Sequence, residues 1–176
     1  MGLGAGRRAV TRSPRPTPAF CAALVAALVV AGCGAGVRDA RPARAVAPKA
    51  DLAAAEELGG HTIARHVGLT DDDLRERLRR EPGIAAASTY PDRETAERVV
   101  DATLRRFSRR IEAWSARAGS RPNLVLDFRG ESGKPIGRSL RRGDARVRAC
   151  ADAVVVLRWH ASGRYYVLTS YPECRQ

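Results

Sequence analysis

Apolar positions recur at two different spacings along this 176-residue chain, and the change of spacing divides it. Ala96, Val99, Val100, Leu104, Phe107, Ile111 and Trp114 fall three or four apart, which predicts one amphipathic helix over residues 92–118 with charged outer faces. Upstream, residues 52–58 predict a short helical segment that stops at Gly59-Gly60, a pair that tolerates the left-handed backbone of a helix end. Thr70 followed by Asp71-Asp72-Asp73, then Leu74, Arg77 and Leu78, predicts a capped helix with acids in its first turn, ending near Arg80. After Gly119 the period becomes two. Leu124, Leu126 and Phe128 alternate with Val125, Asp127 and Arg129, and further strands are predicted over residues 136–141, 151–159 and 164–171. Helices first and an antiparallel β-sheet last make an α+β domain. Side chains alternate along a strand, so Tyr165, Val167, Thr169 and Tyr171 are expected on one face of the last one.

The N-terminal pattern is of another kind. Arg7, Arg8, Arg12 and Arg15 precede an apolar run from Ala19 to Ala31, and no acid occurs before Asp39. That run is shorter than the ~20 residues a permanent membrane-spanning helix needs, so residues 1–32 read as a signal peptide. It closes on Val30-Ala31-Gly32-Cys33, a lipobox pattern that would leave Cys33 as a lipidated N-terminus; ordinary cleavage nearby, leaving a free thiol, is the alternative. Arg7-Arg8 alone is a weak sign of twin-arginine export. Residues 33–50 are rich in Ala, Pro, Gly and Arg without periodicity, as suits a flexible tether. One domain is then expected over 51–176, on an exported chain that is membrane-anchored through lipid or secreted. No internal repeat is visible.

Charge follows the same division. The chain has 31 Lys plus Arg against 19 Asp plus Glu; without residues 1–32, which hold four arginines and no acid, 27 stand against 19. The domain itself is therefore basic, through arginines whose planar forks suit phosphate. Arg105-Arg106 with Arg109-Arg110, and Arg138 with Arg141-Arg142 and Arg146, are candidates for a phosphate-facing surface; solvated helix and strand faces are the ordinary alternative. Cys21 leaves with the signal peptide, so the domain keeps Cys150 and Cys174. If the strands on either side of Ala161-Ser162-Gly163 pair as a hairpin, position 150 faces position 174, and an exported chain invites a disulfide there.

Four separated motifs stand out by their order and spacing: Gly59-Gly60-His61-Thr62-Ile63-Ala64-Arg65-His66-Val67-Gly68; Leu74 with Arg77-Leu78; Ala87-Ser88 with Ala96-Glu97-Arg98; and Tyr165-Tyr166-Val167-Leu168-Thr169-Ser170-Tyr171-Pro172. In this order and spacing, from about Glu56 to Pro172, the chain resembles the ribonuclease A-like toxin domains at the C-termini of bacterial contact-dependent growth inhibition proteins. The resemblance implies a ribonuclease A-like α+β fold, with N-terminal helices packed on the C-terminal sheet. It also implies metal-independent attack of a 2′-hydroxyl on phosphate in single-stranded RNA, leaving a 2′,3′-cyclic phosphate, and an active site at His66, Arg77, Thr169 and Tyr171. It brings no disulfide, so a Cys150–Cys174 bridge would be a local addition.

The residues suit that chemistry. Such attack needs a base, an acid for the leaving oxygen and positive charge for the phosphorane. Histidine, with an ordinary pKa of about 6.5, serves either proton role, and His66 is the candidate. Arg77 offers a bidentate fork to the phosphorane oxygens. Thr169 suits a phosphate oxygen or a pyrimidine edge, and Tyr171 suits stacking, positioning or proton donation. His61, five residues before His66, does not share a helical face with it; it is a second proton-transfer candidate if the segment bends. His160, beside a predicted turn, is expected in solvent. Taken singly, Arg77 reads as a surface charge, Thr169 as strand propensity and Tyr171 as a core closure. No HExxH, CxxC or clustered carboxylate–histidine pattern occurs, so neither metal nor cofactor is expected. The expected partners are an RNA substrate and a cognate immunity protein, for a monomer acting as an antibacterial toxin. A lipoprotein that binds RNA or an anionic envelope polymer without cutting it is the competing reading.

Overall fold

Side-chain caps set the helix boundaries. Asp51 accepts hydrogen bonds from the Ala53 and Ala54 amides to start α1 (Leu52–Glu57), and Gly59, at φ 99°, turns the chain out of it. Thr70 and Asp73 form a reciprocal capping box at the head of α3 (Asp71–Arg80), with hydrogen bonds of 3.1 and 2.8 Å. Asp92 accepts from the Thr95 amide at 2.7 Å and starts α4 (Arg93–Arg106). The structure, a computed structural model, describes residues 49–175. The signal peptide over 1–32, Cys33 and the tether up to residue 48 lie outside the described residues. No helix among the described residues is long and apolar enough to cross a membrane.

Three features depart from the expected pattern. The helix expected over 92–118 breaks at Phe107 into α4 and α5 (Ser108–Ser115). The Thr103 hydroxyl donates to the Val99 carbonyl at 2.8 Å, a back-bond that bends helices just before this break. A five-residue helix, α2 (Thr62–His66), occupies a segment too short to show periodicity. The strands form two three-stranded sheets in place of one. The first has order β1-β3-β4, with β1 (Ala86–Thr89), β3 (Gly137–Arg141) and β4 (Arg148–Cys150) all antiparallel. The second has order β2-β5-β6, with β2 (Leu124–Phe128), β5 (Asp152–Trp159) and β6 (Tyr165–Glu173). Strands β1 and β4 hold four and three residues, too few for an alternating signal.

Each sheet has its own core. Leu126, Val155, Leu157 and Val167 of the second sheet pack with Leu52, Val99, Val100, Ile111 and Trp114 of the helices. Leu74 and Leu78 of α3 pack on Ala87 and Leu140, the back face of the first sheet. Strand β6 joins the two. At Gly137 a Cβ would lie 2.4 Å from Cγ of Pro172 and 2.6 Å from the Thr89 carbonyl oxygen, so only glycine lets β6 sit this close to β3 and β1.

The last hairpin pairs Trp159 with Tyr165 through Leu157 with Val167, then skips Leu168 and resumes with Val156 opposite Thr169. This β-bulge overturns the expected common face of Tyr165, Val167, Thr169 and Tyr171. Paired residues point the same way, so Val167 goes with core-facing Leu157, whereas Thr169 and Tyr171 go with Val156 and Val154 on the other face. Ser170 stays inside, its hydroxyl 2.7 Å from that of Tyr90.

Cys150 and Cys174 are bridged, with Cα atoms 4.5 Å apart, as expected from the sequence, although the bulge sets the two one position out of direct register. Closing a loop of this length stabilises by roughly 3 kcal/mol in the chain-entropy description. A Cys150→Ser, Cys174→Ser variant is therefore expected to melt about 10 °C lower than the bridged protein. Thermal unfolding followed by circular dichroism checks this; an unchanged midpoint would refute it.

Candidate active site

The two faces of the first sheet sort the residues of β3 by parity. Arg138, Leu140 and Arg142 turn toward α3: Arg138 pairs with Asp71 at 2.8 Å and bonds the Leu69 carbonyl, and Arg142 donates to the carbonyls of Leu78, Glu81 and Ile84. Ser139 and Arg141 face the opposite way, with Ala86 and Ser88 of β1 and Arg148 of β4, onto a cleft of about 410 Å³. The arginine cluster proposed as one phosphate-facing surface is thus split, because Arg138 and Arg142 clamp α3. Arg105, Arg106, Arg109 and Arg110 lie on α4 and α5 and do not line the cleft.

The far wall of the cleft is Thr169, Tyr171 and the end of β6, and its head is α2 with Arg77 of α3. All five residues expected at the site, His61, His66, Arg77, Thr169 and Tyr171, line this one cleft. His160 does not; it sits half-buried at the hairpin turn, its Nδ1 2.8 Å from the Ser162 hydroxyl.

His66 closes α2 and is 8% exposed. Its backbone carbonyl accepts from the Tyr90 amide at 2.8 Å, and its Nδ1 lies 3.0 Å from the Ser88 carbonyl oxygen. A carbonyl can only accept, so Nδ1 carries the proton and Nε2 keeps its lone pair in the neutral ring. Burial drives the pKa of His66 down to about 4; the Ser88 hydrogen bond opposes this, and the charges of Arg77, His61 and Arg65 add to it. Near neutral pH the imidazole is uncharged, a proton acceptor.

Arg77 is held from both sides. Its guanidinium donates to the Arg65 carbonyl at 2.8 Å, and its Nε approaches a Glu81 carboxylate oxygen at 3.4 Å without hydrogen-bond geometry. Three buried side-chain polar atoms among the described residues lack a hydrogen-bond partner: Arg77 Nε, Thr169 Oγ1 and Ser115 Oγ. Two of the three belong to cleft residues. Buried polar atoms are normally paired, so this is where a polar ligand has most to contribute. The Tyr171 ring lies 5.3 Å from that of His66, and burial, with Glu173 nearby, raises its phenol pKa above the ordinary value. His61, at the cap of α2, is shifted down by burial and by Arg65.

Sequence reasoning left out Ser139, Asp144, Arg148 and Glu173 from the cleft, and quoted Ser88 within a motif without giving it a role. Ser88 acts through its carbonyl, which no side-chain motif reveals, and Arg148 depends on a three-residue strand.

A family model described as the bacterial CdiA-CT RNAse A domain matches residues 60–172. The chain belongs to that family. As a CdiA-CT RNAse A domain it is a ribonuclease, of α+β fold. Among solved structures it is similar to one titled as the CdiA-CT/CdiI complex from Y. kristensenii 33638. The two are 30% identical with a TM-score of 0.57, over 65% of this chain and 99% of that one. No curated protein matches the chain.

Proposed function

We propose that this domain cleaves single-stranded RNA by metal-independent attack of a 2′-hydroxyl on the adjacent phosphate. Nε2 of His66 takes the 2′-hydroxyl proton, O2′ bonds to phosphorus, the bond from phosphorus to O5′ breaks, and O5′ receives a proton from the Tyr171 phenol. The products are a 2′,3′-cyclic phosphate and a free 5′-hydroxyl. Arg77 neutralises the phosphorane oxygens, and the Thr169 hydroxyl bonds a phosphate oxygen or a base edge. Tyr171 is assigned as the donor ahead of His61 because its ring lies 5.3 Å from that of His66 in the cleft, and because the lowered pKa of His61 leaves it less imidazolium to donate. The observation that carries the reading is a buried neutral imidazole, with Nε2 available, in the cleft that also holds the unpaired polar atoms of Arg77 and Thr169.

The role follows as an antibacterial toxin on an exported chain, neutralised by a cognate immunity protein; the Y. kristensenii relative was crystallised with CdiI. Residues 1–32 as a signal peptide, lipidation at Cys33 and a monomeric domain over 51–176 are part of the proposal. The test is cleavage of a single-stranded RNA oligonucleotide in excess chelator, with 3′ ends resolved by mass spectrometry. Fragments ending in 2′,3′-cyclic phosphate are expected. RNA that is bound but cut no faster than by a His66→Ala, Tyr171→Ala variant would instead favour a polyanion-binding lipoprotein.

A further inference from the structure

The cleft extends beyond the reacting groups along the edge of the first sheet. Arg148 lines both the cleft and an adjoining depression formed with Gly143, Asp144, Ala145 and Arg146. Arg141 and Arg148 share the cleft face of β3 and β4, and Arg141, Arg146 and Arg148 are all exposed. None of the three forms an ion pair among the described residues, whereas Arg138 is paired to Asp71 and Arg142 is bound by three carbonyls. Asp144 is the one acid on this edge, so three guanidiniums face a single carboxylate there; Glu173, on the cleft wall, is engaged by Arg175. Two residues along a strand span about 6.6 Å, and neighbouring strands lie about 4.8 Å apart, a scale on which successive guanidiniums can each meet a successive phosphate of an extended chain.

Resting on the ribonuclease reading of the cleft, we infer that Arg141, Arg148 and Arg146 form a phosphate track. It holds the RNA backbone flanking the scissile bond and gives the enzyme a preference for long single strands over dinucleotides. A fork that binds phosphate in water adds affinity mainly through counterion release, so each contact of the track steepens the salt dependence on a long strand beyond that of the reacting site alone.

The test compares kcat/KM on an RNA dinucleotide and on a single-stranded 12-mer, each at several salt concentrations. Arg146→Gln with Arg148→Gln is expected to lower the 12-mer value about tenfold more than the dinucleotide value. The slope of log kcat/KM against log salt on the 12-mer should shrink by about 1.4, for two lost phosphate contacts on a single strand. Arg146→Lys with Arg148→Lys, which keeps both charges, is expected to restore most of the length preference, and Arg105→Gln with Arg109→Gln to leave both substrates unaffected. Equal losses on the two substrates, or an unchanged salt slope, would overturn the track while leaving the ribonuclease standing. Wild-type protein that cleaves neither substrate overturns both.

Discussion

Replacing His66 by alanine is expected to lower kcat for RNA cleavage by about 10³-fold, within the 10²–10⁴ range of positioned proton transfer. The geometry makes this loss specific. The Ser88 carbonyl fixes the Nδ1 tautomer at 3.0 Å, so the ring presents Nε2 as its only acceptor. The pH profile supplies an independent check. Because the active form is the neutral ring, activity in the wild type falls as pH drops through the pKa of His66, about 4, well below the ordinary 6.5. The variant should lack that acid limb. The deletion also removes a buried ring and a hydrogen bond, which destabilises the fold by about 1–3 kcal/mol, so the unfolding midpoint must be read beside the rate. A variant within tenfold of wild type at pH 7, or a wild-type acid limb centred near 6.5, would contradict the assignment.

Arg77→Ala is expected to cost about 10²- to 10³-fold in kcat, the scale of losing one preorganised donor to a transition-state anion. Here the structural and chemical contributions compete, since the same guanidinium ties α3 to the Arg65 carbonyl at the end of α2. A hydrogen bond from a charged donor contributes about 1.5–3 kcal/mol to stability. Arg77→Lys separates the two: a lysine keeps the charge and can still reach a carbonyl, but it cannot present two parallel N–H groups to a phosphorane. Stability near wild type with kcat still depressed at least tenfold is the expected outcome, with KM changed much less. Loss confined to KM would move Arg77 from transition-state stabilisation to ground-state binding.

Both effects depend on placements with unequal histories in the sequence. The helix bearing Arg77 was legible, because Thr70 and three aspartates cap it and Leu74 and Leu78 mark its buried side. So was the last hairpin, and with it the Cys150–Cys174 bridge. The helix ending at His66 was not, since five residues span too little of a helix to show a period. The division into two sheets was equally hidden, because β1 and β4 are held by partners more than forty residues away or by a tight return, and short strands owe their pairing to neighbours more than to their own composition.

By itself the sequence determined the kind of domain and named the residues proposed for its chemistry: motif order named His66, Arg77, Thr169 and Tyr171, and the switch of period from three-and-four to two set helices before strands. Tertiary structure alone decided which way these groups point. A single extra residue, Leu168, reverses the facing of β6, so Val167 enters the core while Thr169 and Tyr171 turn to the cleft. Parity along β3 and into the residue after it then divides Arg138 and Arg142, which clamp α3, from Arg141 at the cleft edge. Orientation is a property of register, and register is fixed by long-range packing of buried side chains, which no local spacing encodes.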